Sequence, residues 1–233
     1  MMGYITAGAL FLLLVLEYLF PFMENDRGRI RHYLKNLLVS IPNGLFLAGV
    51  ASVFTAGVIQ ASAAHQWGVL RWMELPTVVE WFLALFLFDG WMYLWHRLNH
   101  SCSALWFFHR FHHVDPAMDC TTAVRFHFGE IFISSLVRIG VISLLGMELS
   151  QFLAYELLMF PVIAFHHSNI KVPVWLDRGI SWIIASPSLH RVHHSVVIEE
   201  TNSNYGTVLS LWDRWFKSLH VRHDQDKIIY GVE

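Results

Sequence analysis

An apolar segment that runs directly into a histidine-rich one decides the fold of this chain. Residues 76–95 read PTVVEWFLALFLFDGWMYLW, and residues 96–113 continue as HRLNHSCSALWFFHRFHH. A helix needs about 20 apolar residues to cross roughly 30 Å of hydrocarbon. The first segment has that length, with Glu80 and Asp89 as its charged residues. The sequence therefore predicts a membrane-spanning helix whose end carries a group of imidazoles.

Further apolar segments lie on both sides of this one. Residues 4–23 contain Glu17 as their single charge, and residues 37–59 contain none. The segment 4–23 lacks the basic start and small-residue cleavage site of a signal peptide, so a retained helix is predicted. Residues 131–165 are typical of a hairpin of two shorter helices that turns near Gly146 to Ser150. We expect an all-α integral membrane protein with about four transmembrane helices.

The composition supports a membrane protein and excludes other classes. Of 233 residues, 55% are hydrophobic and 15% are charged, against roughly 45–50% and 25% in globular domains. The mean hydropathy is +0.44. This excludes a disordered chain, and the net charge of −2 gives no basic footprint for nucleic acid. Cys102 and Cys120 form neither a disulfide framework nor a CxxC pair.

Basic residues near the predicted helix ends indicate an orientation. The loop 24–36 holds Arg27, Arg29, Arg31 and Lys35, whereas the loop 60–75 holds Arg71. Because basic loops stay in the cytoplasm, we expect the first loop to be cytoplasmic, together with residues 96–130 and the chain from 166 onward. The membrane is then a bacterial inner membrane or the endoplasmic reticulum.

A single membrane-embedded domain over 1–233 is expected, because the sequence contains no internal repeat or linker. Its transmembrane part covers about 4–95 and 131–165. Its cytoplasmic helical cap covers 96–130 and 166–220 and contains the histidine clusters.

Three histidine clusters carry the functional argument. Each places its imidazoles on one helix face through i, i+3 or i, i+4 spacing. The clusters are HRLNH with His96 and His100, HRFHH with His109, His112 and His113, and HRVHH with His190, His193 and His194. Eight imidazoles suit two metal ions at about four ligands each, and the metals that imidazole prefers are zinc, copper, iron and nickel. A single histidine is more often a hydrogen-bonded interfacial residue, but eight clustered ones predict a metal site.

Several residues outside these clusters are further candidates. His167, next to His166, is predicted to reach the site, and His127 is a candidate ninth or tenth ligand. Asp89 lies two helical turns before His96, so we expect its carboxylate to hold the second ring nitrogen of a ligand; the alternative is a polar residue in helix packing. Glu130 and Asp213 are weaker candidates for that role, and Asn204 is a candidate to orient a bound water. His32, His65, His220 and His223 are expected at the surface or at an interface.

The ordered set of motifs resembles the fatty acid hydroxylase/sterol desaturase superfamily of membrane di-iron oxygenases. The motifs are HRLNH, HRFHH, RFHFGE, FHHSN, HRVHH and ETNSNYGTVLSLWDRWF, and they extend over residues 96–216. Phe128 stands where many members have proline. The small size is most similar to the short bacterial members.

This resemblance implies two iron ions, with O2 as co-substrate and a lipid such as a sterol or fatty acyl chain as the substrate to be hydroxylated or desaturated. The implied ligands are His96, His100, His109, His112, His113, His167, His190, His193 and His194. Zinc is expected to be able to replace the iron on purification.

Breaking an unactivated C–H bond requires a redox metal, which favours iron over zinc. The electrons must come from outside, because the sequence contains no GxGxxG fingerprint and no four-cysteine cluster motif. We therefore expect a separate reductase with a ferredoxin-type or cytochrome-type carrier as a partner. Two alternatives remain open at this point: a membrane protein that transports or stores divalent metals, and a zinc-dependent membrane hydrolase, although no HExxH motif is present.

Overall fold

A computed structural model describes residues 2–24 and 28–233 of the chain. About 70% of the chain is helical, and the described residues form no strand. Arg27, which contributed to the predicted orientation, lies outside the described residues. The all-α fold expected from the apolar segments is confirmed.

Twelve α-helices follow one another along the described chain. They are α1 (Met2–Leu19), α2 (Arg29–Phe46), α3 (Ser52–Ala64), α4 (Val69–Trp72), α5 (Thr77–Ser101), α6 (Ser103–His113), α7 (Phe128–Leu145), α8 (Leu149–His167), α9 (Val174–Ile180), α10 (Pro187–His193), α11 (Ile198–Thr201) and α12 (Leu211–Trp215). A π-helical turn at Leu47–Ala51 joins α2 to α3, and short 3₁₀ turns lie at Thr122–Val124 and Gln225–Lys227.

Four helical segments are long and apolar enough to cross a membrane, which is the number that the sequence predicts, although the segment 4–23 is not one of them. They are Arg29–Trp72, Thr77–Ser101, Phe128–Leu145 and Leu149–His167. The predicted hairpin of two short helices within 131–165 is thus a pair of full-length candidate spans. Large apolar side chains such as Phe82, Leu136 and Leu144 point outward from these helices and are more than half exposed, as lipid-facing residues are.

The predicted helix over 4–23 is shorter than expected. Helix α1 ends at Leu19, and Gly3–Leu19 falls below the length of the four candidate spans. The residue before a proline disfavours the helical backbone conformation, and Phe20, the first residue after α1, precedes Pro21. The chain there pairs with residues 169–171 instead: the Phe22 amide donates to the Asn169 carbonyl at 2.8 Å, and the Lys171 amide donates to the Phe20 carbonyl at 2.8 Å.

The predicted turn between α7 and α8 is a tight one. Gly146 ends α7 in the left-handed conformation, with φ of 76°. Gly68 packs against it so closely that a Cβ on Gly68 would lie 2.1 Å from the Gly146 Cα atom. Glu148 and Gln151 then start α8 with a reciprocal capping box. Beyond the turn, Arg138 on α7 forms an ion pair with Glu156 on α8.

A hydrophobic core between α5, α7 and α8 holds the spanning helices together. Its buried members include Phe88, Ile142, Tyr155 and Met159. Helix α8 also packs against α1 and α10. As a result, the carboxyl ends of α5 and α8 lie beside α6 and α10, the helices that carry the remaining histidine clusters.

Candidate metal centre

Histidines from α5, α6, α8 and α10 converge at one end of the spanning helices. The α5 ring of His96 and the α10 ring of His193 have centroids 4.6 Å apart. The His113 and His194 rings lie 4.4 Å apart, and the His112 and His167 rings 4.9 Å apart. Segments that are nearly 100 residues apart in sequence therefore meet in one nitrogen-rich cluster.

The cluster divides into two groups in which one ligand atom from each residue lies within 4.8 Å of every other. The first group, named the five-histidine group, contains His96, His100, His109, His113 and His193. The second, named the four-histidine group, contains His112, His167, His190 and His194. Each group has enough imidazoles for one transition-metal ion.

The hydrogen bonding of the rings fits bound cations. The Nε2 atoms of His100, His109, His113, His193 and His194 are buried and have no hydrogen-bond partner among the residues that the structure describes. In the four-histidine group, Nε2 of His167 lies 2.9 Å from Nε2 of both His112 and His190. Neutral imidazole nitrogens whose lone pairs face one another repel, and a metal ion between them removes that cost. Buried polar atoms without partners are otherwise rare.

Backbone carbonyls fix which ring nitrogen faces the centre. The Nδ1 atom of His96 bonds the Tyr205 carbonyl at 2.9 Å, and Nδ1 of His193 bonds the Ser203 carbonyl at 2.7 Å. Likewise, His112 and His167 bond the carbonyls of Arg125 and Ile163 through Nδ1. Because a carbonyl only accepts, each of these Nδ1 atoms must carry the proton. Each Nε2 then presents a lone pair, which is the form that binds a metal.

Glu130 supplies the one carboxylate that contacts a grouped histidine among the described side-chain hydrogen bonds. Its Oε1 accepts from Nδ1 of His109 at 2.7 Å, and both residues are buried. A carboxylate on the second ring nitrogen makes imidazole a stronger ligand. The sequence ranked Glu130 below Asp89 for this role, although its position in the first turn of an apolar helix was a usable signal.

The structure corrects the expected position of Asp89. Its carboxylate accepts from the Tyr155 hydroxyl, the amides of Val208 and Leu209, and Nε1 of Trp212. It contacts no grouped histidine, because seven residues of helix rise by about 10 Å, farther than an aspartate side chain reaches. Asp89 instead joins α5 and α8 to the segment 205–212, whose Tyr205 carbonyl holds His96.

Asn204 and Asp213 shape the loop that supplies those carbonyls. The Asn204 amide nitrogen donates to the carbonyls of Leu189 and His220, and its oxygen accepts the His220 amide. These bonds occupy the amide within the protein, so a water-orienting role has no support in this geometry. The Asp213 carboxylate accepts the amides of Tyr205 and Gly206 at 2.8 Å.

Comparison with known proteins agrees with this geometry. The profile of the fatty acid hydroxylase family matches residues 81–218, which is more than half of the chain. The chain belongs to the fatty acid hydroxylase family. The residues that the resemblance to this family implied as ligands are the same nine that the structure brings together in the two groups.

Curated relatives of the chain carry names of lipid-modifying enzymes. Alkylglycerol monooxygenase of Danio rerio is 26% identical over 94% of the chain and 48% of its own length. The human alkylglycerol monooxygenase is 27% identical over 88% of the chain and 45% of its own length. Ornithine lipid hydroxylase OlsE of Rhizobium tropici is 32% identical over 63% of the chain and 44% of its own length. The chain thus spans about half the length of these relatives, and no solved structure matches it significantly.

The remaining histidines lie outside both groups. His127 is the N-cap of α7, and its Nδ1 accepts the Gly129 amide at 3.0 Å, so the candidate ninth or tenth ligand is used in capping. His166 is buried and packs on His190 with ring centroids 4.0 Å apart, but it belongs to neither group. His32 lies between the carboxylates of Asp115 and Asp119, at 2.6 and 2.5 Å. His65 stacks on Trp67.

Burial keeps the cap histidines neutral. Removal from water lowers the pKa of His112, His113, His190, His193 and His194 well below its usual value, and the neighbouring imidazoles lower it further. Protonation of one ring would place a charge in a dry site beside other rings that also bind protons. At neutral pH these imidazoles are therefore in the form that coordinates a metal.

Proposed function

We propose that this protein is an O2-dependent di-iron enzyme that hydroxylates a membrane lipid. The observation that carries the proposal is the pair of adjoining histidine groups, in which five Nε2 atoms are buried without a hydrogen-bond partner among the described residues. We propose the nine grouped histidines as the metal ligands. The chain's membership of the fatty acid hydroxylase family supports this assignment.

Iron, when bound, supplies the redox chemistry that inserts one oxygen atom of O2 into a C–H bond and, with two electrons and two protons, releases the other as water. The chain's own residues prepare the site for this reaction. The carbonyls of Ser203 and Tyr205 orient His193 and His96, and Glu130 orients His109. Burial of the imidazoles excludes water, which protects a reactive site from side reactions.

The two alternative functions fit the geometry less well. A metal transporter needs ligands along a path at mid-membrane depth, whereas these histidines gather at one end of the spanning helices. A zinc hydrolase needs a carboxylate general base beside an open metal position. Neither group contains a carboxylate. Glu130 accepts a hydrogen bond from Nδ1 of His109, the ring nitrogen that does not face the group.

The names of the relatives favour hydroxylation over desaturation and suggest the first substrates to test. Alkylglycerol and ornithine lipid are the compounds in those names, and both are amphiphiles with an alkyl chain. The four apolar spans indicate an integral membrane protein. We place the metal site on the cytoplasmic side, where a separate reductase with a ferredoxin-type or cytochrome-type carrier supplies the electrons.

The test uses the full chain purified in detergent and reconstituted anaerobically with ferrous iron. We expect about two iron ions per chain, in line with about four imidazoles per ion. With a chemical reductant present, O2 uptake should then rise on addition of alkylglycerol or ornithine lipid, and mass spectrometry should find a product heavier by one oxygen atom. The double variant His112→Ala/His193→Ala is the control. Protein that holds zinc alone, and shows no lipid-dependent O2 uptake after iron loading, would overturn the proposal.

A further inference from the structure

A cleft in the cap reaches the edge of the five-histidine group at His100. Its volume is about 700 Å³, within the range of small-molecule binding sites. The residues that line it are His100, Trp106, Val196, Ile198, Thr201, Asn202, Ile229, Gly231, Val232 and Glu233. His100 is thus both a grouped histidine and part of the wall of the cleft, so a molecule in the cleft can contact one member of the group.

One end of the cleft is formed by His100 of α5 and Trp106 of α6. The Trp106 ring packs on His100 with centroids 4.9 Å apart and lies 5.4 Å from the His113 ring. Both ring nitrogens of His100 are buried. A ligand that reaches this end therefore meets an indole face and the outer edge of one metal group.

The outer walls come from two segments that are held together by the backbone. The Val196 amide donates to the Ile229 carbonyl at 2.9 Å, and the Val232 amide donates to the His113 carbonyl at 3.2 Å. Residues 229–232 are thereby fixed across the cap next to α6. The walls of the cleft are therefore held by backbone hydrogen bonds. One wall, residues 229–232, is bonded to the backbone of the grouped histidine His113.

The rim of the cleft is apolar and exposed. Ile198 is 71% exposed and Ile229 is 68% exposed. Exposed apolar side chains at the rim of a cleft are suited to contact an apolar ligand. Asn202 and Glu233 add polar groups to the same lining. The cleft therefore offers apolar contacts for an alkyl chain and polar contacts for a head group.

We propose that this cleft binds the alkyl chain of the lipid substrate and presents its reacting carbon beside His100. The proposal rests on the proposed function and adds to it a route: the chain enters through the cap between residues 196–202 and 229–233. Val196, Ile198, Ile229 and Trp106 contact the alkyl chain, and the head group lies near Asn202.

Photo-crosslinking on the full iron-loaded chain in phosphatidylcholine nanodiscs tests this route directly. The probe is an alkylglycerol with a diazirine in its alkyl chain, and adducts are located by peptide mass spectrometry. We expect adducts within 100–106, 196–202 and 229–233 that disappear with excess unlabelled alkylglycerol. Competed adducts confined to the spanning helices, or no competed adduct at all, would overturn the proposal.

A matched pair of variants adds a second measurement. Val196→Trp fills the cleft, whereas Val197→Trp places the same side chain on the neighbouring residue, which is exposed but does not line the cleft. We expect Val196→Trp to lower cleft crosslinking about tenfold, because an overfilled site costs of the order of a tenfold binding constant. Iron content should stay unchanged in both variants. Equal crosslinking in the two would contradict the proposal.

These outcomes separate the cleft from the proposed function. Lipid-dependent O2 uptake without competed cleft adducts supports the proposed hydroxylase function and contradicts the assignment of the cleft. Competed cleft adducts without any O2 uptake mean that the cleft binds lipid and the proposed hydroxylation fails.

Discussion

The His113 ring stacks on the His194 ring, with centroids 4.4 Å apart and an interplanar angle of 18°. His113 belongs to the five-histidine group and His194 to the four-histidine group. The pair is therefore the shared wall between the two groups. Helix α10 contributes to both, since it carries His193 of the first group and His190 of the second. Neither group is complete until α10 packs beside α6.

The unequal size of the groups leads to a prediction about metal content. His112→Ala leaves three imidazoles in its group, whereas His100→Ala leaves four in the other. Because about four imidazoles hold one ion, we expect His112→Ala to retain about one iron ion and His100→Ala about two. Elemental analysis of each purified variant measures this.

His223→Ala is the control for these variants, because His223 is exposed and belongs to neither group. Equal iron loss in His112→Ala and His100→Ala would contradict the division into two groups as drawn.

Loss of the carboxylate on His109 should weaken metal binding without unfolding the protein. In Glu130→Gln the amide keeps the shape but removes the negative charge 2.7 Å from Nδ1 of His109. We expect the affinity of one ion to fall by about 10–100-fold, the usual effect of losing such a partner. Chelator competition on the iron-loaded protein measures it, with Glu199→Gln on the exposed face of α11 as control. Identical competition curves for Glu130→Gln and the unchanged protein would show that the Glu130 carboxylate does not strengthen metal binding.

Asp89→Asn should destabilise the docking of the cap. The Asp89 carboxylate accepts four hydrogen bonds in the interior, and an amide nitrogen in place of one oxygen faces donors instead. Each buried donor left unpaired costs about 1–3 kcal/mol. We expect a lower melting temperature and a loss of iron, because Tyr205 no longer holds His96 in place.

Tyr155→Phe serves as the graded comparison, since it removes one of these bonds and leaves the carboxylate. We expect its melting temperature to lie between those of Asp89→Asn and the unchanged protein. An Asp89→Asn protein with normal melting and normal iron content would show that the cap does not depend on this carboxylate.

Acid should destabilise the metal-free protein in the pH range where histidine titrates. The folded protein holds the pKa of His112, His113, His190, His193 and His194 well below the usual value, chiefly through burial. The unfolded chain binds protons on these residues near pH 6.5. The free energy of unfolding is therefore highest above about pH 6.5, and it decreases as the pH drops below that value. Melting curves of metal-free protein between pH 8 and pH 5 measure the effect, and a melting temperature that is constant or rises on acidification contradicts it.

The fold was largely predictable from the sequence, because hydrophobic segments of membrane length leave few structural choices. The apolar character of residues 76–95 and 131–165 predicted helices that the structure contains as α5, α7 and α8. The early end of α1 has a signal in the sequence, Pro21, but the pairing of residues 20–22 with 169–171 depends on the tertiary structure.

The grouping of the site could not be predicted from the sequence. His112 and His113 are neighbours in one motif, yet they belong to different groups, because adjacent residues on a helix point in directions that differ by about 100°. The same applies to His193 and His194. The spacing of histidines along one helix does not predict which histidine rings of another helix they contact.

By itself, the sequence determined the chemistry available to this protein: apolar helices for a bilayer and imidazoles at helical spacing for transition metals. The tertiary structure alone decided how the nine rings divide into two groups, that Glu130 and not Asp89 contacts one of them, and that a cleft reaches His100. The physical reason is that side-chain type and period are local properties of the chain. Contacts between residues far apart in sequence depend on how the helices pack.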